Sequence, residues 1–273
     1  MMNLKGQNLV ERFRQIAEQL ALKIAKHDGV AGIAFAGGLE RGFMDKYSDV
    51  DILVFLHKKS PVLRDRILKL GSEAQKRLSV DVDLEVYFLE DFRKRKLGEI
   101  HKWDLSHMQV AFDPQGEIRR LLKEKTKVHQ SFWIRRIVVF GEYLKWYCCP
   151  PRADISTIAE AWVERGDLVS AHYCVNYGLD LLVSIVYALN KEFVPPPKWK
   201  IFYSYNLRWL PNDYNRLVKE ALRTSELSVK DLNRRLNTLK ELWQEILPKI
   251  EEETGMTPAS MSKHFVEKVL RQA

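Results

Sequence analysis

The hydrophobic pattern of this chain changes period near residue 125, and that change limits the folds open to it more than any single motif does. Before it, helix-period segments alternate with short apolar runs. A helix is expected from about Leu9 to Lys26, a strand VAGIAFA over 30–36, a second strand VDILVFL over 50–56, a helix from Pro61 to Leu78, and a third strand VDVDLEVYFL over 80–89. Beyond it the pattern is helical throughout. Segments at 128–149 (ended by Pro150 and Pro151), 155–193 (broken near Gly166), 213–223, 229–252 and 258–271 carry it. The expectation is an α/β (α+β) domain with a small mixed sheet over residues 1–125, followed by an all-α helical bundle over 126–273. A chain of 273 residues is long enough to bury a core in each.

Composition excludes several classes. With 46% hydrophobic and 29% charged residues and no apolar run approaching the ~18 residues of a membrane span, a bilayer-crossing chain is not expected. The first twenty residues lack the apolar centre of a secretion signal, so a cytoplasmic location is expected. Cys148, Cys149 and Cys174 fit neither a disulfide framework nor a zinc spacing and read as reduced packing residues. The net charge of +8 favours an anionic partner. The basic runs, such as RKRK at 93–96 and KEKTK at 123–127, are dispersed and carry no aromatic RNA-reading motif, so solvated helix faces are the simpler reading and nucleic acid is disfavoured.

The chemistry concentrates in AGGLERGFMDKYSDVDIL, residues 36–53. On a strand, residues two apart point the same way, which sets Asp49 and Asp51 on one face with Cα atoms ~7 Å apart. Like charges that close repel unless a cation sits between them, and an all-oxygen pair suits Mg²⁺, which takes one or two carboxylates and fills its shell with water and phosphate oxygens. Gly37 and Gly38 end the preceding strand where LERGF begins a helical turn, leaving backbone N–H groups open to a phosphate. The third strand alternates strictly, with Asp81, Asp83, Glu85 and Tyr87 on one face. Backbone donors for phosphates beside carboxylates for their metal constitute the equipment of phosphoryl or nucleotidyl transfer.

This constellation resembles the nucleotidyltransferase superfamily that includes DNA polymerase β, whose signature is an apolar residue, G-[G/S], nine to thirteen residues, then D-h-[D/E]-h. Here it reads Ala36-Gly37-Gly38, ten residues, then Asp49-Val50-Asp51-Ile52. Many members carry serine at the second glycine position. The resemblance implies a nucleoside triphosphate substrate, with ATP expected, and Mg²⁺ held by Asp49, Asp51 and a third carboxylate on a neighbouring strand. LEVYFL looks like the corresponding strand of the aminoglycoside adenylyltransferases, which selects Glu85 as base or third ligand, with Asp83 in reserve. Asp81 is expected to lie too far from the end where Gly37 and Asp49 meet. Gly37, Gly38, Arg41, Ser48 and Lys198 are the expected nucleotide contacts. The helical segment after residue 165, with its ALN…P…KW ending, is similar to the bundle of lincosamide and aminoglycoside nucleotidyltransferases, which implies a hydroxyl-bearing small-molecule acceptor. An alternative rests on Arg165 and His172, whose spacing resembles that of HEPN ribonucleases paired with nucleotidyltransferase antitoxins; it implies a toxin–antitoxin-like module acting on protein or RNA. His101 and His107 read as structural, and Trp199 as either a packed side chain or a stacking surface.

Overall fold

Four strands form one mixed sheet in the order β3-β2-β1-β4 in the computed structural model, which describes residues 4–152 and 154–269. They are β1 (Val30–Phe35), β2 (Val50–Leu56), β3 (Val82–Phe88) and β4 (Gln109–Phe112). β1 runs antiparallel to both β2 and β4, whereas β2 and β3 are parallel. A parallel pair needs a crossover, and α3 (Pro61–Leu78) supplies it. Ser60 caps that helix by accepting from Leu63 N at 3.3 Å, and Pro61 follows where its missing N–H costs nothing.

The central strands are apolar on both faces because both faces are covered. Ile52, Val54 and Leu56 pack with Phe13, Ile16, Leu20 and Ile24 of α1 (Val10–Ala25) and with Ile67 of α3. On the other side Leu53 and Phe55 meet Phe92 of α4 (Leu89–Lys94), Leu105 of α5 (Glu99–Ser106) and Ile118 of α6 (Glu117–Thr126). Each such side chain contributes about 1.5–3 kcal/mol by leaving water. β3 is half-covered and keeps the alternation read from its sequence: Asp81, Asp83 and Glu85 are exposed, while Val82, Leu84 and Val86 pack against the core. The α+β architecture expected from the sequence is the one observed, with elements the sequence did not announce: the helices α2 (Gly37–Arg41), α4, α5 and α6, and β4, an edge strand of four residues too brief to show a periodicity.

The described residues divide into two compact units, one ending at Lys127 and the other beginning at Val128. The second is wholly helical: α7 (Gln130–Tyr147), α8 (Ile158–Glu164), α9 (Leu168–Leu189), α10 (Pro197–Ser204), α11 (Tyr214–Leu222), α12 (Val229–Thr254) and α13 (Pro258–His264). The expected helix at 258–271 is α13 followed by a π turn over Phe265–Val269; positions 270–271 lie outside the described residues. The long pattern at 155–193 breaks at Gly166, whose φ is +80°. α9 has the length and hydropathy of a membrane span by composition, which the sequence reading did not flag, but 67% of its apolar window is buried, and it packs on α7, α8, α11 and α12 as the core of its unit. All three cysteines are free and buried, and burial pushes the Cys149 thiol up to about 12.

Within this unit Lys145 and Glu142 are both nearly inaccessible and pair at 2.5 Å, with Lys145 Nζ also donating to Ser262 Oγ at 2.7 Å and to Pro258 O at 3.1 Å. The network ties α7 to α13. Glu142→Ala leaves a buried ammonium without its anion and should lower the unfolding free energy by about 3–5 kcal/mol in urea titration; a loss under 1 kcal/mol would show that the pair is solvated.

Candidate active site

The antiparallel pairing of β1 and β2 continues one step past the end of β1, where Ala36 N donates to Asp51 O at 3.1 Å. The chain then turns sharply. Gly37 has φ +63°, in the left-handed region that favours glycine, and a Cβ at that position would sit 1.6 Å from Asp51 Oδ2. The turn therefore runs directly against the Asp51 carboxylate. Gly38 has a separate reason to be bare: its Cβ would lie 2.6 Å from Met44 Cγ and 2.9 Å from Phe43 O. The serine that many members of the resembling superfamily carry does not fit here while Met44 Cγ and Phe43 O stand this close.

The chain from Gly42 to Asp49 is a hydrogen-bonded loop. Asp45 Oδ1 accepts from Tyr47 N at 2.9 Å and from the Ser48 hydroxyl at 3.2 Å, while Ser48 Oγ accepts from Asp45 N at 3.0 Å. Ser48 builds the turn that delivers Asp49, which is exposed immediately before the buried Val50. Its hydroxyl proton is thus directed at Asp45, inside the loop.

Strand register decides which carboxylates are neighbours. In the parallel β2–β3 pair, Val50 is matched with Val82, Asp51 with Asp83 and Leu53 with Glu85. Matched residues of adjacent strands lie on the same face about 4.8 Å apart, so Asp51 and Asp83 stand side by side. The depth expected along β3 is corrected. Because the strands are parallel, the start of β3 lies at the Asp49 end of the sheet, where Val50 N donates to Asp81 O at 2.9 Å; Asp81 is near that end and Glu85 is farther from it. Burial raises the Asp83 carboxyl above the usual aspartate range, and the negative charges of Glu85 and Asp49 add to the rise. Glu85 accepts from the Tyr87 hydroxyl, which also accepts from Arg95 Nη1 at 3.2 Å. The Tyr87 ring is held against Phe55 and Phe92, with centroids 6.1 and 5.0 Å away. Tyr87 and Arg95 had not been singled out in the sequence, although Tyr87 falls on the acidic face by alternation.

Asp49, Asp83 and Glu85 thus interact electrostatically in a row that Asp51 borders. Among the described residues no three His, Cys, Asp or Glu side chains converge into a closed metal-binding group. An open arrangement of this kind fits a cation that takes one or two carboxylates and leaves the rest of its shell to substrate oxygens.

The remaining candidates separate. Arg41 lies on α2 with its guanidinium 5.6 Å from the centre of the Trp103 ring. His107 is structural as expected, its Nδ1 2.8 Å from Trp103 O and its ring 4.7 Å from the indole. Lys198 is exposed on α10 and belongs to the helical unit. Arg165 and His172 do not form one exposed pair. Arg165 caps the end of α8 with its guanidinium over Trp162, 4.9 Å from the ring centre, and the Gly166 turn intervenes. His172 is buried on α9, its Nδ1 accepting from Arg235 Nη1 at 2.9 Å and its Nε2 3.3 Å from Ser228 O. Both ring nitrogens are committed to packing.

No curated protein matches the chain. A nucleotidyltransferase-like protein from Exiguobacterium sibiricum is similar at 14% identity over 90% of this chain and 78% of that one, with a TM-score of 0.43. A toxin–antitoxin complex with AMP-PNP is similar at 16% identity over 46% and 96%, with a TM-score of 0.33. A complex of the tri-AMPylated Shewanella oneidensis HEPN toxin with the MNT antitoxin is similar at 16% identity over 47% and 97%, with a TM-score of 0.31. The family model described as nucleotidyltransferase domain matches residues 14–133, a span holding all four strands, both glycines and every carboxylate of the row.

Proposed function

We propose that this domain moves a nucleoside monophosphate from a nucleoside triphosphate, ATP in the first instance, onto a hydroxyl, releasing pyrophosphate. The observation that carries the reading is the juxtaposition of Asp51 with Asp83 on paired parallel strands while the Gly37 turn presses on Asp51 from the other side. Asp49 and Asp51 hold Mg²⁺, and Asp83, placed beside Asp51 by register, takes the third position in preference to Glu85. When bound, the cation neutralises phosphate oxygens and the charge that develops on the leaving group. Gly37 and Gly38 present backbone N–H groups to the outer phosphates, with Arg41 nearby on the same short helix.

Glu85 lies one step along the same face and takes the proton from the acceptor hydroxyl. Its bond from Tyr87 fixes the carboxylate's direction. The helical unit is assigned the choice of acceptor. The likeness of the 165–200 segment to lincosamide and aminoglycoside nucleotidyltransferases supports a small hydroxyl-bearing acceptor. Labelled ATP with Mg²⁺ and separate panels of aminoglycosides, lincosamides, proteins and RNAs identifies the acceptor class by which panel takes up label. Labelling of a protein alone would transfer the reading to a toxin–antitoxin-like role, and labelling of nothing with any nucleotide would refute it.

Mg²⁺ with ATP should stabilise the fold by about 2.7 kcal/mol at a hundredfold excess over Kd, and Asp51→Asn should abolish that gain in thermal melts. Asp83 supplies a signed control. Its folded-state carboxyl is raised, so its ionisation costs stability above the ordinary aspartate range and nothing below it. Asp83→Asn is therefore expected to raise the melting temperature of the ligand-free protein at neutral pH, with the gain vanishing as pH falls through the unfolded aspartate value, and to reduce the response to Mg²⁺ with ATP. A neutral-pH destabilisation by Asp83→Asn would contradict this.

Kinetics divide the two roles. Glu85→Gln should lower kcat by at least about a hundredfold with nucleotide affinity within a few fold, the usual cost of losing a general base. Asp83→Asn should lower both kcat and the affinity for the metal–nucleotide complex. Near-normal turnover in Glu85→Gln would move the base to Asp83.

A further inference from the structure

The site is completed by a residue that lies before the family-matched segment. Asn8 stands one residue ahead of the N-cap of α1, outside residues 14–133. Its Oδ1 accepts from Val10 N at 3.1 Å, which starts the helix, and from Met44 N at 3.1 Å, while its Nδ2 donates to Gly42 O at 2.9 Å. Leu9 N adds a bond to Met44 O at 2.7 Å. One amide thus closes both ends of the 42–44 bend and anchors it to α1. Met44 is also the side chain that lies against Gly38, and the chain reaches Asp49 five residues later. The same helix holds the other end of the segment: Arg14 Nη2 donates to Leu39 O at 2.6 Å.

We infer that Asn8 is a positioning residue of the nucleotide site, setting the distance between the Gly37–Gly38 turn and the Asp49–Asp51 pair. This rests on the proposed function, because it assumes that both halves meet one ligand. The span from 38 to 49 contains no strand, and its only regular structure is the end of α2. Its course is set by the Asp45 turn and by these bonds from the start of α1. A group outside the chemistry acts by holding reacting parts in register, and small displacements are felt strongly in transfer reactions.

The test compares Asn8→Ala, Asn8→Asp and a control cap, Ser60→Ala, which removes a similar bond at the start of α3. Binding of Mg²⁺ with ATP is measured by calorimetry well below the melting temperature of each variant, and amide hydrogen exchange is read over residues 42–49. Asn8→Ala should bind about tenfold more weakly, the scale of a lost cap, with faster exchange confined to that loop. Asn8→Asp keeps the acceptor for Val10 and Met44 but loses the donor to Gly42, and should fall between. Ser60→Ala should lose comparable stability with binding unchanged. Wild-type binding in Asn8→Ala, or an equal loss in Ser60→Ala, overturns the inference. If the wild-type protein binds no Mg²⁺ with ATP, the proposed function fails instead, and exchange decides the anchoring alone: protection at 42–49 unchanged in Asn8→Ala refutes it, and selective loss supports it.

Discussion

The parallel pairing of β2 with β3 aligns two acidic stretches in register, and most of what is distinctive in the sheet-bearing unit follows from it. Asp51 and Asp83 stand matched on adjacent strands, and burial, with the charges of Glu85 and Asp49, raises the Asp83 carboxyl above the usual aspartate range. The sheet tolerates the strain because the opposite faces of the same strands are dry: Ile52, Val54 and Leu84 pack beneath the carboxylates against α1 and α3. Slipping β3 by one residue would turn its apolar side chains to water, so the hydrophobic face holds the charges together against their preference.

The glycine turn matters for the same reason. Gly37 has no side chain where Asp51 Oδ2 stands, so backbone and carboxylate share a space that any other residue would divide. Asn8, the Asp45 turn and Arg14 fix the segment between the turn and the carboxylates from outside. The helical unit has its own buried charge: Arg235 is inaccessible and bonded to His172, to Asn176 and to Ala221 O at 2.7 Å.

How far the sequence discloses this depends on whether a feature is local. Gly37-Gly38 and Asp49-x-Asp51 are legible because turn chemistry and strand alternation act within a few residues. The acidic face of residues 81–87 is legible for the same reason. Its register against residues 50–56 is not, since pairing direction is set by the crossover and by cores on both sides; the choice between Asp83 and Glu85 turns on that. Asn8 carried a local signal, an asparagine ahead of an apolar helical run, but its second role depends on a loop thirty-odd residues away. The Arg165 and His172 spacing shows the converse: two residues close in sequence were separated by the Gly166 turn, and one was absorbed into a core.

The packing of Met44 against Gly38 sets a condition on any side chain at that turn. A glycine and a serine that alternate freely in a signature look interchangeable, yet here a Cβ at residue 38 would lie 2.6 Å from Met44 Cγ and 2.9 Å from Phe43 O, so a serine requires both a side chain and the backbone of the loop to move. Position 38 is therefore tied to the course of the chain at 43 as well as to the size of residue 44, and a smaller residue at 44 relieves only half of the conflict.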